Sequence, residues 1–401
     1  MKNKENIRPL CLSFWAPPVV RPQAILLGKM LPEWIAQGVT PVLVTYDVCI
    51  GWDIDIPMYY IPQQPPVPWW AKILGLSSRQ QKRYFELIVD LIEPIVKKHN
   101  INLLYSFAKP HESNVIGAML KERLGIPFVA HMSDPWYENF FASRFRSGKK
   151  QILEMETYVI EQCDRVNFIV REMKELVMKK YGKVLQAKAR VMHHFFQPND
   201  YPKKQVNGGR FMFSHIGILR RERNPEILYQ AFSELLKRRP DLSEAIGITL
   251  VGSVNEYTAY TDKEVKKMIH VYGLEQYVTV VPTVRFEESL QYMMDASCLV
   301  VIDANIPKVS HILCKAIDYL GSGNSIVGIM PHDNPTAALL KEVGYESFDY
   351  TQASELSTYM EGLISGTIVP EKNQDIVDTY HVGSITADLL DQFEELISDN
   401  T

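Results

Sequence analysis

The chain has 401 residues, 46% of them hydrophobic, 22% charged and 10% aromatic, with a formal net charge of -4. That composition excludes a disordered or collagen-like chain and is enough for two domains of about 150 to 200 residues each. The five cysteines, Cys11, Cys49, Cys163, Cys298 and Cys314, show no CxxC spacing, which argues against a disulfide framework or a structural zinc site and fits a reducing cytoplasm.

At the start, Met1 to Pro9 carries charge. The apolar stretch that follows, Leu10 to Val20, is broken by Pro17 and Pro18, so it makes a poor signal peptide. No run approaches the roughly eighteen apolar residues of a membrane span. In the first half, apolar runs predict strands at Pro9 to Trp15, Pro41 to Tyr46, Leu103 to Ser106, Pro127 to His131 and Arg165 to Val170. Amphipathic segments between them predict helices at Gln23 to Gln37, Gln80 to His99, Asn114 to Leu124 and Lys149 to Gln162. After the strand-like Ala189 to Met192, the residues His193 to Pro202 and the polar stretch Lys203 to Gly209 read as a linker between domains.

The alternation then restarts. Strands are predicted at Phe211 to Ile216, Ile246 to Val251, Tyr277 to Val281, Cys298 to Ile302 and Ser325 to Ile329, with helices at Asn224 to Lys237, Asp262 to Tyr272, Glu287 to Met294 and Cys314 to Leu320. The expected fold is therefore α/β, with two Rossmann-like doubly wound domains whose strand ends share a cleft. The expected division is 1–195, 196–375 and a C-terminal helix in 376–401 that returns to the first domain. Residues 1–195 hold 26 Lys and Arg against 18 Asp and Glu, a surplus of +8, which leaves -12 for the remainder. The two halves are thus expected to meet different partners.

Several ordered signatures carry a family resemblance. Ala16-Pro17-Pro18-Val19-Val20-Arg21-Pro22 precedes a helix, Gly38 and the run Val42 to Thr45; Gly125-Ile126-Pro127 is followed by Asp134-Pro135-Trp136. In the second half come Gly217-Ile218-Leu219, Arg223-Asn224-Pro225, Leu250-Val251-Gly252 and the run Lys315 to Gly323. Together they resemble the two-Rossmann (GT-B type) retaining glycosyltransferases of family 4, or group 1. The resemblance implies transfer of a sugar from a nucleoside diphosphate donor to a glycan or lipid-linked oligosaccharide, with retention, in bacterial surface polysaccharide synthesis. It implies no cofactor beyond the nucleotide-sugar substrate, and no nucleic-acid partner is expected.

A donor diphosphate calls for cations or helix N-termini. Arg220, Arg221 and Arg223 lie in the turn after the first strand of the second domain, and Arg223 falls where the family has a phosphate-binding Lys. Alternatively, these arginines belong to a solvated basic loop. Ile218 departs from the family, where many relatives carry Arg. The resemblance gives Asp318 the ribose hydroxyls, aligns Ser310 with the family's first acidic position on the sugar side, sets Thr283 and Val284 at the base and Gly217 at the donor loop. Lys315, three residues before Asp318 on one helix face, either reaches the phosphates and the developing leaving-group charge or forms an ion pair with Asp318. Asp134 either orients the acceptor hydroxyl and acts as base or caps the turn before Pro135. Pro18, Arg21 and Trp136 fall on the acceptor side. His111, His131, His193 and His194 read as structural. No His/Asp/Glu cluster has metal-ligand spacing, which favours a metal-free mechanism.

Trp69-Trp70 beside Arg79, Lys82 and Arg83, and the stretch Phe140 to Arg146, have the composition of a membrane-interface contact as well as that of a buried loop. The expected location is cytoplasmic, peripheral on the inner face of the cell membrane. Two alternatives stay open: a nucleotide-sugar epimerase of the same fold, and a non-catalytic nucleotide- or glycan-binding relative, the latter motivated by Ser310 and Ile218.

Overall fold

The computed structural model describes residues 4–64, 76–107, 109–138, 146–205, 209–253, 261–306 and 309–400, without the side chains at 5, 76–78, 146 and 147. Trp69, Trp70, Phe140, Phe141 and Phe145 lie outside the described residues. The chain divides into two compact units, Met1–His194 with Val382–Thr401, and Phe195–His381.

The first unit is built on a parallel sheet of β1 (Pro9–Leu12), β2 (Val42–Tyr46), β3 (Met58–Ile61), β4 (Leu103–Phe107), β5 (Phe128–Met132), β6 (Arg165–Phe168) and β7 (Ala189–Val191). Their order is β3-β2-β1-β4-β5-β6-β7. β1, β2, β4 and β5 are buried along their whole length, which is why each reads as an unbroken apolar run: helices cover both faces. β3 was not expected. It is a half-exposed edge strand (Met-Tyr-Tyr-Ile) whose pattern carries little signal. The helix Arg171–Met178 was also unforeseen; it is only eight residues long. The C-terminal helix Val382–Ser398 packs on the helix Pro22–Ala36, where Phe393 meets Trp34 edge to face with ring centroids 5.4 Å apart.

The second unit carries β8 (Phe211–Ile216), β9 (Ile246–Val251), β10 (Val278–Val281), β11 (Cys298–Ile302), β12 (Ser325–Ile329) and β13 (Glu346–Phe348) in the order β10-β9-β8-β11-β12-β13. Every pairing is parallel. One face is covered by the helices Glu226–Arg238, Asp262–Val271 and Ala353–Ser365, whose core includes Phe213, Leu228, Phe232, Ile248, Val300 and Leu356. In both sheets the first strand in sequence sits between its second and a later strand: β1 lies between β2 and β4, and β8 between β9 and β11. Connections leave these neighbouring strands for opposite sides, so a crevice opens at the carboxyl ends of β1/β4 and of β8/β11, where open α/β sheets bind ligands.

Candidate functional site

At the β8/β11 switch point the chain assembles two cations around one buried carboxylate. β11 ends at Ile302, and the next residue, Asp303, is fully buried. Its Oδ1 accepts from Arg223 Nε at 3.1 Å and from the Ala304 backbone N–H at 2.7 Å, and its Oδ2 accepts from Asn334 Nδ2 at 2.8 Å. Arg223 is therefore anchored, not loose in a solvated loop; its side chain keeps 23% exposure.

Lys315 comes from the first turn of the helix Cys314–Ser322. Its Nζ lies 3.1 Å from His215 Nε2 on β8. One helical turn on, Tyr319 latches the same helix face to the end of β8: its hydroxyl accepts from Ile216 N at 2.8 Å and donates to Ile216 O at 3.1 Å. Gly217 makes room. Its φ of +127° is a glycine conformation, and a Cβ there would stand 2.6 Å from Lys315 Nζ. Burial, followed by repulsion from Arg223, lowers the Lys315 pKa to about 7 against the opposing pull of Asp303. Burial, then Lys315, also holds the His215 pKa well below its usual value. Around this point Arg223 and Lys315 face one buried carboxylate, Asp303, and a neutral imidazole, at the end of a helix whose free N–H groups favour an anion.

The other expected donor residues fall at the carboxyl ends of the same sheet with different surroundings. Asp318 lies on the Lys315 helix, where its carbonyl accepts from Tyr201 Oη at 2.7 Å. Thr283 and Val284 follow β10, with Thr283 beside Gly252 at the end of β9. Ser310 precedes the Lys315 helix, in the connection from β11. Arg220 is exposed in the turn after β8, bridged through its backbone to Arg223. Arg221 does not join Lys315: it reaches Glu264 at 3.6 Å, toward the helix Asp262–Val271. Sequence reasoning missed His215 and Asp303. A polar residue inside an apolar strand, and an acid immediately after one, were the available signals.

In the first unit, Asp134 follows β5 and pairs with Lys109 Nζ at 3.0 Å, an interaction that neither expected role for Asp134 included. Trp136 stacks on His111 with centroids 4.4 Å apart and planes 9° apart. Burial, then the Lys109 charge, lowers the His111 pKa to about 3. Lys109, His111 and Trp136 border a cavity of about 290 Å³ with Phe85, Glu112 and Met155. Arg21 places its guanidinium 4.0 Å over the Trp15 ring, and Pro18 lies in the same segment after β1. Among the described residues, no group of three or more His, Cys, Asp or Glu is placed to hold a metal ion.

No protein-family model matches the chain, and no curated protein matches its sequence. Solved structures do match in three dimensions. Sucrose-phosphate synthase from Thermosynechococcus elongatus is similar over 98% of this chain and 100% of its own, with a TM-score of 0.72 at 13% identity. HepE from Anabaena, solved in complex with UDP, is similar over 97% of this chain and 100% of its own, with a TM-score of 0.69 at 14% identity. The α,α-trehalose 6-phosphate synthase from Burkholderia multivorans is similar over 98% and 100%, with a TM-score of 0.67 at 9% identity. The chain has the GT-B fold. At these identities the likeness is one of fold. The GT-B chain brings Lys315 and Arg223 together in its second unit; in its first, Asp134 pairs with Lys109 and Trp136 stacks on His111.

Proposed function

We propose that this GT-B chain is a glycosyltransferase that takes a sugar from a nucleoside diphosphate donor and passes it to a glycan or lipid-linked acceptor in bacterial surface polysaccharide synthesis. The observation that carries the reading is the pair Lys315 and Arg223 set around the single carboxylate of Asp303 at the β8/β11 switch point. An anion completes that arrangement, and a diphosphate supplies it. Support from outside the chain comes from HepE, a structural neighbour solved with UDP and with UDP-glucose.

In this reading Lys315 and Arg223 hold the diphosphate and stabilise the charge that grows on the leaving nucleoside diphosphate as the glycosidic bond breaks. Asp318 takes the ribose hydroxyls, the backbone at Thr283 and Val284 holds the base, and Ser310 faces the sugar. Asp134, held by Lys109, orients the acceptor hydroxyl, and Pro18, Arg21 and Trp136 belong to the acceptor side. The transfer retains anomeric configuration and runs without a metal. The basic surplus of residues 1–195 supports a location on the inner face of the cell membrane.

The test is incubation with a panel of nucleotide sugars and glycan acceptors, read by nucleoside diphosphate release and by the anomeric signal of the product. Release with a new glycosidic bond supports the proposal. An epimerised sugar still attached to its nucleotide would identify an epimerase, and binding without release from any donor a non-catalytic relative.

A further inference from the structure

The hydrogen bonds around His215 determine its tautomer. The ring is fully buried in β8, with Nδ1 2.8 Å from the Val300 carbonyl and Nε2 3.1 Å from Lys315 Nζ. The Val300 carbonyl only accepts, and at 2.8 Å it takes the Nδ1 hydrogen, with the Gly217 backbone as a further hydrogen-bond neighbour of the ring; Nε2 is then a lone pair that accepts from the lysine. An imidazolium would instead turn an N–H against the ammonium. The groups facing Lys315 are thus His215 from β8, Arg223 from the following turn, Asp303 from the end of β11 and Cys314 on its own helix. Only Asp303 among them is a carboxylate, and its oxygens already serve Arg223, Ala304 and Asn334.

We propose that His215 is a positioning residue that aims Lys315 at the donor phosphates as a neutral hydrogen-bond acceptor, so that diphosphate is bound together with a proton. This inference rests on the donor-site reading above. With Lys315 titrating near pH 7, the balance has a definite sign. At pH 6 the free lysine is already charged, and binding takes up no proton through it. At pH 8 it is mostly neutral, and the arriving anion recharges it at the cost of one proton from solvent. Affinity through this group therefore falls about tenfold per pH unit above pH 7, until the raised pKa of the complex is reached.

The experiment is calorimetric titration of the intact protein with inorganic diphosphate from pH 6 to 8.5, in buffers of different ionisation enthalpy. The Lys315→Arg variant, which keeps its charge throughout, corrects for protonation of diphosphate itself. Relative to that variant, wild type is expected to take up close to no proton at pH 6 and to approach about one at pH 8. His215→Phe should move the uptake curve to lower pH and weaken binding at pH 7.5 by about 10- to 100-fold. His215→Gln, which restores an acceptor, should recover most of both. Wild-type uptake equal to that of Lys315→Arg at every pH overturns the proposal, as does an unchanged curve in His215→Phe. Should His215→Phe not fold, the wild-type curve and His215→Gln decide, and a Gln variant that binds and takes up protons as Lys315→Arg does overturns it. Failure of wild type to bind diphosphate or any nucleoside diphosphate overturns the donor-site reading as well, whereas binding without uptake overturns this inference alone.

Discussion

Replacing Asp303 with Asn changes one charge in a space that admits little adjustment. Oδ1 must still meet two donors, Arg223 Nε and the Ala304 N–H, so the new amide nitrogen takes the Oδ2 position, opposite Asn334 Nδ2. Two donors then face each other. Asn334 cannot turn over to relieve the clash, because its Oδ1 caps the helix Pro335–Val343 by accepting from Thr336 N at 2.8 Å. Both residues are buried, with Asp303 at 0% and Asn334 at 1% exposure, so water does not repair the mismatch. One unsatisfied buried donor costs about 1 to 3 kcal/mol. Loss of the carboxylate under Arg223 adds about 1 kcal/mol, less than for a fully buried pair because the arginine retains contact with solvent. The expected destabilisation is about 2 to 4 kcal/mol, or a fall of about 4 to 16 °C in the unfolding temperature of the second unit. Calorimetric melting of wild type and Asp303→Asn checks it, with Asp303→Asn/Asn334→Asp as a partial rescue because the donor–donor clash is removed. A single variant that melts within 1 °C of wild type would refute the hydrogen-bond assignment.

Gly217→Ala should drive the Lys315 ammonium away from His215, weakening diphosphate binding by about 1.5 to 3 kcal/mol, as Lys315→Ala does; titration that finds wild-type affinity contradicts the close approach. Asp318→Asn should weaken nucleoside diphosphate binding and leave inorganic diphosphate affinity nearly unchanged, and an equal loss for both ligands would move Asp318 from ribose to phosphate. Turnover should persist in EDTA, and strict dependence on Mg²⁺ or Mn²⁺ would contradict leaving-group stabilisation by Lys315 and Arg223. Sedimentation with anionic vesicles should show binding that falls as salt rises, each basic residue near the surface contributing about 1 kcal/mol, and wild type left in the supernatant at low salt would remove the membrane from the proposal.

Alternation of apolar runs with amphipathic helices was sufficient to read the fold class, because a strand buried on both faces carries few polar positions to obscure it. β8, β9, β11 and β12 were legible to the residue for that reason. β3 and β13 were not: each is a short edge strand, half exposed, with a pattern no different from that of a loop. Of the candidate site, the family resemblance pointed to Gly217, Arg223, Lys315 and Asp318, and the structure places Gly217, Arg223 and Lys315 around the end of β8. The resemblance did not show that Arg221 turns to Glu264 or that Arg223 is anchored on Asp303, since both arginines stand in the same connection between β8 and the helix Glu226–Arg238 and differ only in what the fold brings opposite them. His215 and Lys315 are 100 residues apart, and Arg223 and Asp303 are 80 apart. Their meeting is produced by the parallel pairing of β8 with β11 at the centre of the sheet, a pairing between strands distant in sequence that no local pattern records. The residue types capable of holding an anion were thus written in the chain, while their charge states were decided by the tertiary structure, which buries Lys315 beside Arg223 and sets the His215 ring among the Val300 and Gly217 backbone and the Lys315 ammonium.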